Sequence, residues 1–243
     1  MMSLRTDALN TLLLSAIVTC LGLSPLAQAE RSKADLARDQ SSKPFQVLEF
    51  MGLQPGDTVV DLFAGNGYYS EVLSEVVGEQ GKVYLHNNQA YLAFAKDLGP
   101  RVADNRLPNV EVYVRELEDF DIRSESVDMV LMVMTYHDVY FAQSGWTVTP
   151  ATLFPTVKRI LKPGGTLAIV DHHATPGTAK AAVQVLHRID AEFAKTDIAA
   201  RGFEFTGSSE LLENPEDDFQ KSVFDPEVRG KTSRFVYRFI KPE

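Results

Sequence analysis

Three short segments hold residues whose types and spacing could do chemistry. The first is Asp61 with Gly65-Asn66-Gly67, where an apolar β-prone run passes through a glycine turn into a helical pattern with Tyr69, Val72, Leu73, Val76 and Val77 on one face. Glycines let a backbone approach a ligand closely, and the helix that follows presents unpaired N–H groups to it. Asp61 ends the strand, at the edge where ligands of open α/β sheets bind. The second segment is Tyr136-His137-Asp138-Val139-Tyr140, just past an apolar run over 128–134. A histidine there suits proton removal near neutral pH, with Asp138 placed to orient or charge it; a purely structural hydrogen bond is the alternative. The third is Asp171-His172-His173, after an apolar run over 166–170, with His187 further on before a last helical pattern.

The glycine spacing discriminates between cofactors. A dinucleotide fingerprint needs G-x-G-x-x-G, and Ser70 occupies the third glycine position. An NAD-dependent oxidoreductase would also need an acid after the second strand, where the sequence reads Val83-Tyr84-Leu85-His86-Asn87-Asn88. The run TVVDLFAGNGYYSEVLSEVV, with an acid four residues before the first of two paired glycines, instead resembles motif I of the class I S-adenosylmethionine (AdoMet) methyltransferases. LKPGGTLAIVD resembles the turn and fifth strand of that family. FDPEVRGKTSRFVYRFIKP resembles a group of exported bacterial methyltransferase-like proteins. There are two departures. Phe63 stands where the family usually has Gly, and Asn87 where it places Asp or Glu to take both ribose hydroxyls. An amide cannot act as a charged bidentate acceptor, so Asn88 or another neighbour would have to help.

The resemblance implies AdoMet as cofactor and methyl transfer to a small-molecule acceptor. It implies that Asp61, Gly65 and Gly67 hold the methionine end, Asn87 the ribose and Glu116, beside Leu117, the adenine; a solvated charge is the other reading of Glu116. The fourth strand lies beside the first in a doubly wound sheet, so residues just past Met134 would face the methyl group. Tyr136, Tyr140 and His172 are then expected at the acceptor, with His137 and Asp138 as catalytic residues, since the reaction needs an aligned nucleophile and removal of its proton. Asp138, Asp171 and His172 could instead form a metal site resembling that of metal-dependent O-methyltransferases. Their spacing is not diagnostic, polar lining is preferred, and no metal is assigned. Trp146 either closes over the acceptor or packs under its loop. A non-catalytic AdoMet-binding protein of the cell envelope is the main rival reading, and the weakened ribose position favours it.

These residues need a scaffold that gathers strand ends. Strands are expected over 58–61, 82–86, 110–115, 128–134 and 166–170, separated by helical patterns, then two last strands over 203–208 and 234–240. Pro44 and Gly52 bracket a short helix, residues 152–161 another, and Asp190 and Gly202 a third. The fold class is α/β: a doubly wound, Rossmann-like, seven-stranded and mostly parallel sheet with an antiparallel last strand, in one domain over 30–243.

Residues 1–29 stand apart. Arg5, an apolar run over 11–23 and Ala27-Gln28-Ala29 have the layout of a secretory signal peptide cleaved before Glu30. Export, most simply to a bacterial periplasm, is expected, with no stable membrane insertion after cleavage. Arg5 and Asp7 cancel, so the remainder keeps the net charge of −9, which argues against a nucleic-acid surface. The single cysteine, Cys20, leaves with the leader, so the mature chain would have neither disulfides nor thiolate ligands.

Overall fold

The structure, a computed structural model, describes residues 30–142 and 145–243. The expected signal peptide lies outside them. The chain opens with two helices, α1 (Lys33–Ser42) and α2 (Pro44–Met51), the second begun by a proline and stopped by Gly52 at φ 83°. Alternation follows: β1 (Thr58–Asp61), α3 (Tyr68–Val77), β2 (Lys82–Asn87), the short α4 (Gln89–Leu92) and α5 (Leu98–Val102), β3 (Val110–Val114) and β4 (Val127–Val133). The second half holds α6 (Pro150–Ile160), β5 (Leu161–His172), α7 (Val183–Leu186), α8 (Ala191–Ala200), β6 (Glu204–Ser209) and β7 (Arg234–Ile240). Among the described residues, no helix is long and apolar enough to cross a membrane.

The seven strands form one sheet in the order β3-β2-β1-β4-β5-β7-β6. Pairings from β3 to β5 are parallel, and β7 runs antiparallel between β5 and β6. This is the expected doubly wound sheet with its antiparallel last strand. The turn expected at Lys162-Pro163-Gly164-Gly165 lies inside β5. Leu161 pairs with Val127 and Thr166 with Met129, so the turn is an excursion that leaves the strand and rejoins it.

Successive residues of the central strands are buried on opposite faces, as a sheet covered on both sides requires. Val60, Val130 and Ile169 pack with α6 and α8, whereas Val59, Leu131 and Val170 pack with α2 and α3. The strand order changes direction between β1 and β4, and their carboxyl ends open a crevice at that switch point.

Candidate functional site

The glycine turn after β1 is tied down from several sides. Asn87, the last residue of β2, accepts the Gly65 N–H at 2.9 Å through Oδ1 and donates Nδ2 to the Gly65 carbonyl at 3.0 Å. Arg101 Nε donates to the Asn66 carbonyl at 2.6 Å. Gly65 and Gly67 both have positive φ, 58° and 76°. A Cβ on Gly65 would meet nothing within 4 Å, so the turn presents open space on that side. Phe63 also has positive φ, 59°, a conformation that explains why glycine suits this position. Its ring is buried against Tyr91 and Trp146, with centroids 5.4 and 5.3 Å away. Beneath it, His86 accepts the Phe63 N–H and donates to the Arg115 carbonyl; burial pushes its pKa down to about 4, leaving it neutral.

Asp61 is buried at 2% exposure, and its carboxylate takes the Ser70 hydroxyl at 2.6 Å. Burial raises its pKa to about 6, against the lowering effect of the Ser70 bond and the more distant Arg38 charge. Glu116 is half-buried and accepts the Gln89 N–H at 3.2 Å, beside the end of β2.

A cavity of about 940 Å³ opens over the carboxyl ends of β4 and β5. Its polar centre is built where β4 ends. Met134, at φ 57°, donates its N–H to the Val170 carbonyl and turns the chain into a single 3₁₀ turn, His137–Tyr140. Asp171, wholly buried at the end of β5, accepts the backbone N–H groups of His137 and His172, each at 2.7 Å. The same carboxylate faces His137 Nδ1 at 2.8 Å. On the other side of the ring, His137 Nε2 lies 3.2 Å from Asp138 Oδ1. Asp138 Oδ2 accepts the Tyr91 hydroxyl at 2.6 Å, and its main-chain carbonyl takes the Trp146 indole at 2.7 Å. His187, beyond α7, brings its Nδ1 to 3.7 Å from Asp138 Oδ1.

Burial alone would lower the His137 pKa, but the Asp171 and Asp138 carboxylates outweigh it and raise it to about 10. Burial would likewise raise Asp138; hydrogen bonds from His137 and His187 hold it well below the usual carboxylate range. His137 is therefore an imidazolium between two carboxylates at neutral pH. The general-base role expected of it does not follow from this geometry, because neither nitrogen is free. His172 is pushed well below its ordinary value by burial and by the charge of His137, and its Nδ1 meets the Thr232 hydroxyl at 2.8 Å.

The structure thus gathers His137, Asp138 and His172 at the cavity, while Asp61, Gly65, Gly67, Asn87 and Glu116 are not among the residues that line it. Tyr136 and Tyr140 are not where the sequence placed them. Both hydroxyls turn away to Asp197 on α8, which Arg201 also holds. Two members of the site were missed: Tyr91, a plain aromatic in a helical pattern, and His187, noticed but given no role. Trp146 lines the cavity and packs on Phe63 at once.

Comparison with known proteins fits this architecture. A family model described as a methyltransferase domain matches residues 53–216. The chain belongs to the class I AdoMet-dependent methyltransferase family. It is 29% identical over 133 residues to a 2-phytyl-1,4-naphtoquinone methyltransferase of Synechococcus elongatus, covering 52% of this chain and 50% of that protein. An arsenite methyltransferase of Halobacterium salinarum is 28% identical over 123 residues, 50% of this chain and 29% of that one. The chain spans half or less of the length of these relatives. A SAM dependent methyltransferase from Aquifex aeolicus superposes with a TM-score of 0.62 at 24% identity, over 84% of this chain and 93% of that one, which shows the shared fold.

The residues of this methyltransferase domain suit the methionine half of AdoMet. Gly65 is open, and Asp61 supplies a carboxylate for a cofactor carrying sulfonium and ammonium charge. The ribose half is less well served, because the Asn87 amide is committed to Gly65 at both ends. Beside it, Asn88 Oδ1 caps α4, but its Nδ2 is buried without a protein partner, a donor in reserve for a ligand oxygen.

Proposed function

We propose that this protein is a methyltransferase whose acceptor is a small, largely apolar molecule bearing an ionisable oxygen. The observation that carries this reading is a polar cluster, His137, Asp138 and His187, set in the wall of a cavity lined by five aromatic rings and by the basic side chains of Arg38, Lys96, Arg229 and Arg234. Tyr91, Phe141 and Trp146 line that cavity, and Phe94 and Phe224 stand at its edge, 72% and 58% exposed. Such rings favour a flat or hydrocarbon ligand. A relative named for a phytyl naphtoquinone points the same way.

Bound AdoMet supplies an electrophilic methyl group. Everything else falls to the protein. Asp61 and the Gly65 turn fix the methionine end, the rings exclude water and align the acceptor, and His187, oriented by Asp138, confronts the acceptor's oxygen and takes up its proton. His137, already doubly paired, holds Asp138 in place rather than acting alone. The exported location expected from residues 1–29 belongs to the same proposal. N-terminal sequencing of protein from a Sec-competent bacterium that returned Met1 instead of Glu30 would remove it.

The test is transfer of labelled methyl from AdoMet to panels of phenols and quinols, amines and carboxylic acids. Transfer to the hydroxylated rings is expected, falling roughly 10²–10⁴-fold in Asp138→Asn. Binding of AdoMet without transfer to any panel member would instead support the non-catalytic binding protein. That rival keeps one specific observation in its favour, the locked Asn87.

A further inference from the structure

We propose that His137 Nε2, Asp138 Oδ1 and His187 Nδ1 hold one divalent transition-metal ion, with open coordination positions facing the cavity. For its role, polarising the acceptor's oxygen, the inference rests on the function proposed above. For the site itself it does not.

The three ligand atoms come from two separate parts of the chain and lie within 4.8 Å of one another. Asp138 Oδ1 is the shared vertex, 3.2 Å from His137 Nε2 and 3.7 Å from His187 Nδ1. An ion about 2.0–2.2 Å from each of two such atoms sets them about 3–3.5 Å apart, which the two edges meeting at Asp138 Oδ1 already approach. Two imidazoles and one carboxylate suit zinc, cobalt or iron(II), not the all-oxygen preference of calcium and magnesium.

The surroundings orient each ligand as an outer coordination shell does. Asp171 faces His137 Nδ1, which leaves Nε2 to point inward, and Asp171 is itself anchored by two backbone N–H groups. The Tyr91 hydroxyl holds the second oxygen of Asp138. The His187 ring sits between Phe141 and Phe224, with centroids 4.5 and 4.8 Å away, on a left-handed backbone at φ 53° that non-glycine residues seldom adopt. The ion takes the place of the Nε2 proton that otherwise pairs His137 with Asp138, and that proton is released to solvent on binding; an imidazolium pinned between Asp171 and Asp138 would account for His137 without any ion. It would not account for His187 converging on the same oxygen.

This trio differs from the one the sequence brought to mind. Asp171 stands behind His137, and His172, whose Nδ1 faces Thr232, is not a member of the cluster.

Tag-free full chain, stripped with a chelator, is titrated with cobalt(II) and followed by its visible d–d absorption. One equivalent should bind, zinc(II) should displace it, and His187→Ala and Asp138→Asn should each abolish the bands. Asp171→Asn should weaken binding roughly 10–100-fold. His173→Gln should leave it unchanged, because that ring stacks on Phe219 and Phe235 away from the site. Circular dichroism checks folding, and His187→Gln replaces the alanine variant if that one fails. Folded protein that binds no cobalt, or bands that persist in both ligand variants, would overturn the site. Neither readout needs methyl transfer. Cobalt binding without transfer to any acceptor would therefore sink the functional reading and leave the site standing, and transfer without cobalt binding would do the reverse.

Discussion

Replacing Asp61 by Asn should stabilise the cofactor-free protein at neutral pH while weakening AdoMet. The Asp61 carboxylate is buried with one hydroxyl donor, Ser70, and a remote cation, Arg38; burial dominates, and its pKa is about 6 against a reference of 3.8. Moving the carboxyl pKa from 3.8 to about 6 corresponds to about 3 kcal/mol that the folded state gives up to keep this group charged. Because the folded pKa is the higher one, the folded state binds the proton more tightly. The stability contributed by this group therefore falls as pH rises from about 4 to about 6, and the full cost is present above that. Asn removes the charge but adds an amide donor in a buried place, costing about 1–2 kcal/mol. The net gain at pH 7 is about 1–2 kcal/mol, a rise in Tm of about 2–8 °C. Near pH 4 the charge is already gone in the folded wild type, and the variant should be the less stable of the two. The stability curves must therefore cross. The wild-type profile alone would hide this, because His86, depressed to about 4, loses stability as pH falls through the same window. Scanning calorimetry of both proteins from pH 4 to pH 7 isolates the difference. Titration calorimetry at pH 7 should show AdoMet weakened by roughly 1–3 kcal/mol for a lost charged contact. A variant less stable than wild type at every pH would refute the reasoning, since it would mean that the carboxylate is net stabilising.

Asn87→Asp should lower Tm without improving AdoMet affinity. The acid keeps the Gly65 N–H bond but sets a carboxylate oxygen against the Gly65 carbonyl where Nδ2 now donates, a loss of about 1–3 kcal/mol. Tighter AdoMet binding at unchanged Tm would show that residue 87 is free to serve the ribose, as the sequence alone had implied. Tyr136→Phe and Tyr140→Phe should each cost about 1–2 kcal/mol in urea denaturation, because each removes a bond to Asp197, while turnover per folded molecule stays near wild type. A selective loss of turnover would put a tyrosine back at the acceptor.

The scaffold was legible because its signals are local. β2, β4 and β7 lie within a residue or two of their expected bounds, since apolar runs closed by turns and caps carry their own punctuation. The glycine turn was legible for the same reason. The polar centre was only half so. His137, Asp138 and His172 could be placed at strand ends, but which way each side chain turns depends on the backbone phase after β4. Met134 sets that phase with a left-handed φ that no local pattern announces in a methionine. Tyr136 and Tyr140 therefore went to α8 when the sequence offered them to the acceptor. His187 reaches Asp138 only through the fold, from the far end of a loop that follows β5.

Met134 is not alone. Phe63 and His187 also carry left-handed φ values, and these three residues sit at the glycine turn, at the end of β4 and on the cavity wall. A non-glycine residue held there costs of order 1 kcal/mol or more and persists only where its surroundings insist on it. At Phe63 the compensation is visible: the ring that a glycine would lack packs against Tyr91 and Trp146, the residues that hold Asp138. The departure from the family's glycine thus builds the wall behind the charged cluster. Left-handed residues also occur away from the site, at Lys43, Asp104 and Glu125 among others, but at Phe63, Met134 and His187 they set the phase and the wall of the cavity, so some of the site's least readable residues are those that shape it.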